Sequence, residues 1–203
     1  MDKTSITLLD SLRDTENPDG WQRLCLLYQP LLVAWLKKYD VQSCDADDLT
    51  QEVLMSVCKS LNSFEHSGRP GAFRAWLKSI LVNRLRNFWR TRDRKPQSPG
   101  GSSIEERLLQ LEDPASQLSQ LWDQQHDLFV MNRLLELTQR YFSDESWEMF
   151  VRVAIRGESA ETVARERGVS LNSVFIAKSR ILRRLRTEAA GLVDSSSKIS
   201  LSN

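Results

Sequence analysis

The sequence predicts an all-α protein: two small helical domains joined by a flexible linker. Three observations carry that expectation. Apolar residues recur at spacings of three and four along most of the chain, and no run alternates polar and apolar residues between turn signals. Proline and glycine cluster mainly at 17–20, 68–71 and 96–101, where they punctuate the helical pattern. At 203 residues and 40% hydrophobic content, the chain can bury a core in each of two domains.

Four helices are expected in the first block, near 4–14, 20–38, 45–62 and 70–92. The second carries a stripe of Trp21, Leu24, Tyr28, Leu31, Leu32, Trp35 and Leu36, and the third one of Leu49, Val53, Leu54, Val57 and Leu61. Asp45 reads as the N-cap of the third, with Asp47, Asp48 and Glu52 adding negative charge to its first turns. That acidity suits either a helix start or a surface for a basic partner. It does not suit a metal, because no histidine or further carboxylate stands nearby in sequence to complete a shell.

The fourth segment, FRAWLKSILVNRLRNFWRTRDRKP (73–96), changes character along its length. Phe73, Trp76, Leu77, Ile80, Leu81, Leu85 and Phe88 have the spacing of a buried stripe, whereas Arg84, Arg86, Arg90, Arg92, Arg94 and Lys95 crowd its second half around Phe88 and Trp89. Cations beside flat rings are the ingredients of single-strand binding, although arginines also favour a helix C-terminus for electrostatic reasons alone. Arg84 falls within the apolar stripe and must snorkel or mark an exposed stretch. Trp89 lies at the stripe's edge, able to stack on a base or on a neighbouring helix.

KPQSPGGSS (95–103) is the strongest break, since its prolines, glycines and serines cannot sustain a helix. IEERLLQLEDPASQL, interrupted by Pro114, reads as linker with transient helical turns. The expected division is therefore a first domain over 1–95, a linker over 96–125, a second domain over 126–192 and a polar tail over 193–203.

The second domain ends in ESAETVARERGVSLNSVFIAKSRILRRLR (158–186). A helix over 160–167 with the small Ala164, a turn at Gly168, an anchor at Val169 and an N-cap at Ser170 give the helix-turn-helix layout. Val174, Ala177, Ile181 and Leu185 then face inward. Asn172, Ser173, Phe175, Lys178, Ser179, Arg180, Arg183 and Arg184 are left facing outward. Five basic residues and no acidic one lie between Lys178 and Arg186, a density suited to phosphate contact. A helical hairpin with a solvated basic face has the same pattern.

Composition limits the rest. With 28 basic and 27 acidic residues the net charge is +1, so nucleic-acid binding must come from local patches. Cys25, Cys44 and Cys58 form neither a disulfide framework nor a zinc motif, and point to a reducing, cytoplasmic setting. The start lacks the pattern of an export signal, and no apolar run is long enough to insert in a membrane. His66 and His126 are the only histidines, no glycine-rich phosphate loop occurs, and no nucleophile has a base; neither an enzyme nor a cofactor is expected.

In this order, the acidic helix start, the helix FRAWLKSILVNRLRNFWRTRDR, a linker and a C-terminal helix-turn-helix resemble the bacterial sigma-70 family, and more narrowly its extracytoplasmic-function (ECF) group, which keeps the second and fourth sigma domains. The resemblance covers roughly 20–95 and 126–190. It implies a sigma domain 2 bundle, a sigma domain 4 helix-turn-helix, and a factor that binds RNA polymerase core and directs promoter-specific initiation. DADDLTQEVLMSVCKSLNSF is similar to the family helix that docks on the clamp of the large catalytic subunit, so Asp45, Asp47, Asp48, Gln51 and Glu52 would face that clamp. RAWLKSILVN is similar to the segment preceding the −10 reader, which places Asn83, Arg86, Asn87 and Arg90 near melted DNA. NSFEHSGRPGA (62–72) sits where such factors hold a flipped-out base. Ser170, Asn172, Ser173, Lys178, Ser179, Arg180 and Arg183 would meet the −35 duplex.

An anti-sigma factor is left open as a further partner. Two rival readings also stand: a helix-turn-helix regulator with a helical sensing or dimerising N-terminal domain, and a helical adaptor that binds no DNA. The first requires tight duplex binding without polymerase. The second requires no transcription from any promoter.

Overall fold

A computed structural model of the chain describes residues 7–13, 18–64, 71–91 and 103–193. These are helical almost throughout, with no strand among them. In order they form α1 (Leu8–Arg13), α2 (Pro18–Lys38), α3 (Ser43–Ser60), α4 (Ala72–Thr91), α5 (Ile104–Glu112), α6 (Gln117–Gln139), α7 (Asp144–Phe150), α8 (Ala160–Arg167) and α9 (Leu171–Ala189). A short 3-10 turn, Leu61–Ser63, follows α3, and a π-helical turn, Val151–Ile155, extends α7.

The expected stripes are the buried faces. Leu24, Tyr28, Leu31, Leu32, Trp35 and Leu36 of α2 pack against Leu49, Val53 and Val57 of α3 and Phe73, Leu77, Leu81 and Leu85 of α4. Trp21, Leu54, Trp76 and Ile80 sit half-buried at the margin of the same core. Helix α3 begins two residues earlier than expected: Asp45 lies inside its first turn, and the capping position falls to Gln42, whose side chain makes no capping bond. Asp45 thus contributes its charge to the helix start without serving as the cap.

Helix α2 continues through Pro30, which has no N–H for the carbonyl of Leu26 one turn earlier. Arg133 of α6 supplies the missing donor, its Nε lying 3.1 Å from that oxygen.

Residues 104–112 are not transient turns but a packed helix. Ser103 and Glu106 form a reciprocal capping box, and Ile104, Leu108 and Leu111 are buried in the main core. Full burial of an aliphatic side chain contributes about 1.5–3 kcal/mol before entropy, so three such anchors hold a helix that would fray in isolation. Pro114 lies between α5 and α6, where a missing N–H costs nothing. Helix α6 then runs unbroken across position 125, and its Trp122, fully buried, meets Trp35 edge to face at 4.4 Å between centroids.

The main core therefore continues through α6 into Phe150, Ile181, Leu185 and Leu192. A second, smaller cluster of Met149, Val153, Ala160, Val163, Ala164, Val174 and Ala177 lies beneath the α8–α9 pair, with Val169 packed against it.

Candidate nucleic-acid and partner interfaces

Helix α3 buries Leu49, Val53 and Val57 and so must turn its remaining positions outward. Asp47, Asp48, Gln51 and Glu52 are all exposed there, while Asp45 is half-buried. Met55, 55% exposed, continues the outward stripe of Asp48, Gln51 and Glu52. Arg84 of α4 snorkels to the edge of this face: its Nη2 donates to Ser56 Oγ at 2.7 Å, and its Nη1 lies 3.6 Å from Glu52.

On α4, Asn83, Asn87 and Arg90 are exposed. Arg86 is not free. Its Nη1 and Nη2 meet the two carboxylate oxygens of Glu112 at 3.1 and 3.0 Å, and its Nε meets Glu105 at 3.1 Å. The hydrogen bonds it donates to Glu112 are the main reason that the Arg86 guanidinium is held above its ordinary pKa. Trp89 is buried, its ring 4.7 Å from that of Phe88, so it packs within the protein rather than standing ready for a base. Arg92, Arg94, Lys95 and most of the 62–72 loop lie outside the described residues.

In α8 and α9 the local sequence chemistry takes the expected form. Gly168 adopts φ +67° at the end of α8, a left-handed conformation that glycine enters without strain. Ser170 caps α9 by accepting from the Ser173 N–H at 3.1 Å, and the two hydroxyls lie 2.8 Å apart. Those hydroxyls are therefore engaged with the helix start and with each other. Asn172, Ser179, Arg180 and Arg183 are exposed, and Lys178 is half-buried. Arg184, expected to face outward, folds back: its Nε is 2.8 Å from buried Glu188, and its guanidinium stacks over the Tyr141 ring at 4.4 Å.

One polar constellation was not foreseen from the sequence. Arg74 and Lys78 of α4, one turn apart, point into the interface with α6 and are nearly buried. Arg74 Nη1 lies 2.6 Å from Asp127 and its Nε 3.1 Å from Asp123; Lys78 donates to Ser119 and reaches Asp123 at 3.3 Å. His126, fully buried, has Nδ1 2.9 Å from Asp127 and Nε2 3.3 Å from the Tyr28 hydroxyl.

An ionised carboxylate only accepts, so Nδ1 carries the proton and Nε2 accepts from Tyr28. Burial lowers the pKa of His126, against the opposing pull of Asp127, and raises that of the Tyr28 hydroxyl. Burial likewise lowers the pKa of Lys78. The sequence signal was the occurrence of Arg74 and Lys78 beside Phe73 and Leu77, charges at stripe positions that demand buried counterions.

Among the described residues no group of histidine, cysteine or carboxylate side chains is arranged to hold a metal ion, and no helix is long and apolar enough to cross a membrane. The chain thus presents an acidic face on α3, an amide and arginine face on α4, and a basic face on α9.

Comparison with known proteins bears on the first two faces. Residues 24–95 match the family model for Sigma-70 region 2, a span that includes most of α2 and the whole of α3 and α4. None of the curated proteins compared with the chain matches it. Among solved structures, that of CnrH in complex with the cytosolic domain of CnrY resembles this chain at 22% sequence identity, over 88% of this chain and 92% of that one. The TM-score is 0.36, too slight a likeness to bear on domains or partners.

Proposed function

We propose, from the match of residues 24–95 to Sigma-70 region 2, that this chain is a sigma factor of the ECF group of the sigma-70 family. It binds RNA polymerase core in the cytoplasm and performs no bond chemistry of its own. The observation that carries the proposal is the match to Sigma-70 region 2 over helices whose outward faces hold the acidic residues of α3 and the amides and arginines of α4.

In this reading Asp45, Asp47, Asp48, Gln51 and Glu52 meet basic groups on the clamp of the large catalytic subunit. Asn83, Arg86, Asn87 and Arg90 contact the melted −10 strand, where exposed bases and phosphates offer hydrogen-bonding edges and charge. Helix α9 enters the major groove of the −35 duplex, with Asn172 and Ser179 toward base edges and Lys178, Arg180 and Arg183 toward phosphates. The functional division keeps 1–95 as sigma domain 2 and 126–192 as sigma domain 4. Once α5 and α6 have released α4, residues 96–125 tether the two domains, so that two modest DNA contacts act as one site.

Arg86 can reach DNA only after α5 gives up Glu105 and Glu112. The contacts of α5 and α6 with α4 are then exchanged for contacts with polymerase and promoter.

Transcription in vitro with bacterial core polymerase and a randomised promoter pool tests the proposal. The expected result is enrichment of templates sharing two spaced elements, dependent on the chain. Tight duplex binding without polymerase would favour the regulator reading, and enrichment of no template under conditions where another sigma factor succeeds would overturn the proposal.

A further inference from the structure

Phe175 and Ile176 are adjacent on α9, and both are about half exposed, at 49% and 48%. Neither contributes to the smaller core, which takes Val174 and Ala177 from the same turn. With 3.6 residues per turn, Asn172, Phe175, Ile176, Ser179 and Arg183 share one stripe, directly opposite Val174, Ala177 and Ile181. The two large apolar side chains thus occupy the centre of the outward face, with an amide one turn before them and a hydroxyl and an arginine after them.

We propose that Phe175 and Ile176 read thymine, by packing against its C5-methyl group in the major groove of the upstream promoter element. The inference rests on the sigma-factor reading and deepens it. Charge decides the occupant of this face. From Leu171 to Thr187 there is no acidic residue, while Lys178, Arg180, Arg183, Arg184 and Arg186 are cationic, so the surroundings of the apolar pair suit a polyanion. The next acid, Glu188, is buried and committed to Arg23 and Arg184.

Within the major groove the edges of the bases are hydrogen-bonding groups, with one apolar exception, the methyl group of thymine. An exposed Phe and Ile at the groove-facing centre leave donors and acceptors of G·C pairs desolvated and unpaired, whereas a methyl group fills the same space at no polar cost. Asn172, one turn nearer the helix start, has the amide that pairs with adenine N6 and N7. The stripe is therefore built for A·T pairs, with the methyl contact giving the direction of the pair. Ser170 and Ser173, engaged with each other, are left to position the helix rather than to read bases.

The test uses the full chain with core polymerase. Promoters are first selected from a pool randomised over the upstream element, then remade with uracil in place of thymine at single positions. Uracil keeps every hydrogen bond of the base pair and lacks only the methyl group. The expected result is at least one enriched thymine whose replacement lowers open-complex formation by about fourfold, the factor for withdrawing one buried methyl group.

Phe175→Ala or Ile176→Ala should make thymine and uracil templates equivalent at that position while leaving the thermal unfolding midpoint unchanged, because both side chains stand outside the core. Arg183→Ala, in contrast, should weaken both templates alike. If promoters are enriched but uracil equals thymine at every position, or the uracil penalty survives in both alanine variants, the methyl readout is wrong and the sigma reading stands. If no promoter is enriched at all, both fall together.

Discussion

Arg86 and Glu112 meet as a two-pronged pair, with both guanidinium Nη atoms on both carboxylate oxygens, although 26 residues separate them in the chain. Glu105 closes the third side at Nε. Helix α5 thereby holds an arginine that the proposed function assigns to DNA, and the contact has the planar geometry a phosphate would otherwise meet.

Replacing Glu105 and Glu112 by Gln should therefore strengthen the binding of the free chain to short single-stranded DNA. Partly exposed ion pairs contribute about 0.2–1 kcal/mol, so the expected gain is between about 1.4-fold and fivefold. Fluorescence anisotropy with a labelled oligonucleotide measures it, and the gain should shrink as salt rises. An unchanged affinity would show that Arg86 takes no part in binding.

The Arg74–Asp127 pair, at 2.6 Å and nearly buried, is expected to be a determinant of stability. Removing one partner leaves a buried charge uncompensated, at a cost of about 3–5 kcal/mol. Arg74→Met and Asp127→Leu should each show that loss in urea unfolding, and the double variant should lose less than either alone. Additive losses would mean that the two charges do not depend on each other.

His126 makes the fold sensitive to acid. Its pKa in the folded protein is lowered, chiefly by burial, so below the ordinary histidine value of about 6.5 the unfolded chain binds the proton that the folded chain refuses. Stability is then complete above that value and falls as pH drops below it, by up to about 1.4 kcal/mol per pH unit until the folded pKa is reached. Thermal unfolding between pH 7.5 and roughly pH 5 should show this decline, and His126→Gln should flatten it. A decline of equal slope in the variant would assign the effect to other groups.

Asp48→Lys with Glu52→Lys should abolish binding to core polymerase while leaving the fold intact, because both residues lie on the exposed face of α3. Binding is read by co-elution with core enzyme, and folding by circular dichroism. Retained binding would remove the acidic face from the polymerase contact.

Much of this was legible in the sequence because it is local. The stripes of α2, α3 and α4 follow from helical spacing, and Tyr28, Leu32, Val53 and Leu77 are buried where that spacing puts them. Gly168 and Ser170 end one helix and begin the next by chemistry contained within a few residues. The candidates Asp48, Gln51, Asn83 and Asn87 face outward for the same reason: the opposite side of each helix is apolar.

The parts that were not legible involve distant partners. The shortness of the amphipathic run and its interruption at Pro114 suggested transient turns within a linker, yet Ile104, Leu108 and Leu111 find a surface on α4 and α6 that only the assembled fold provides. Trp89 could not be assigned from its own helix, and burial against the rest of the core settled it.

The sequence by itself determined that the chain is helical, where α8 ends and α9 begins, and which side of α2, α3, α4 and α9 is apolar, since these depend on neighbours three or four residues away. Only the tertiary structure decided that Arg74 and Lys78 are balanced by Asp127 and Asp123, that His126 is sealed between Asp127 and Tyr28, and that Arg86 is held by α5. The physical reason is that a charge reveals its exposure through its own surroundings, but a counterion 26 or 53 residues away is chosen by how helices pack.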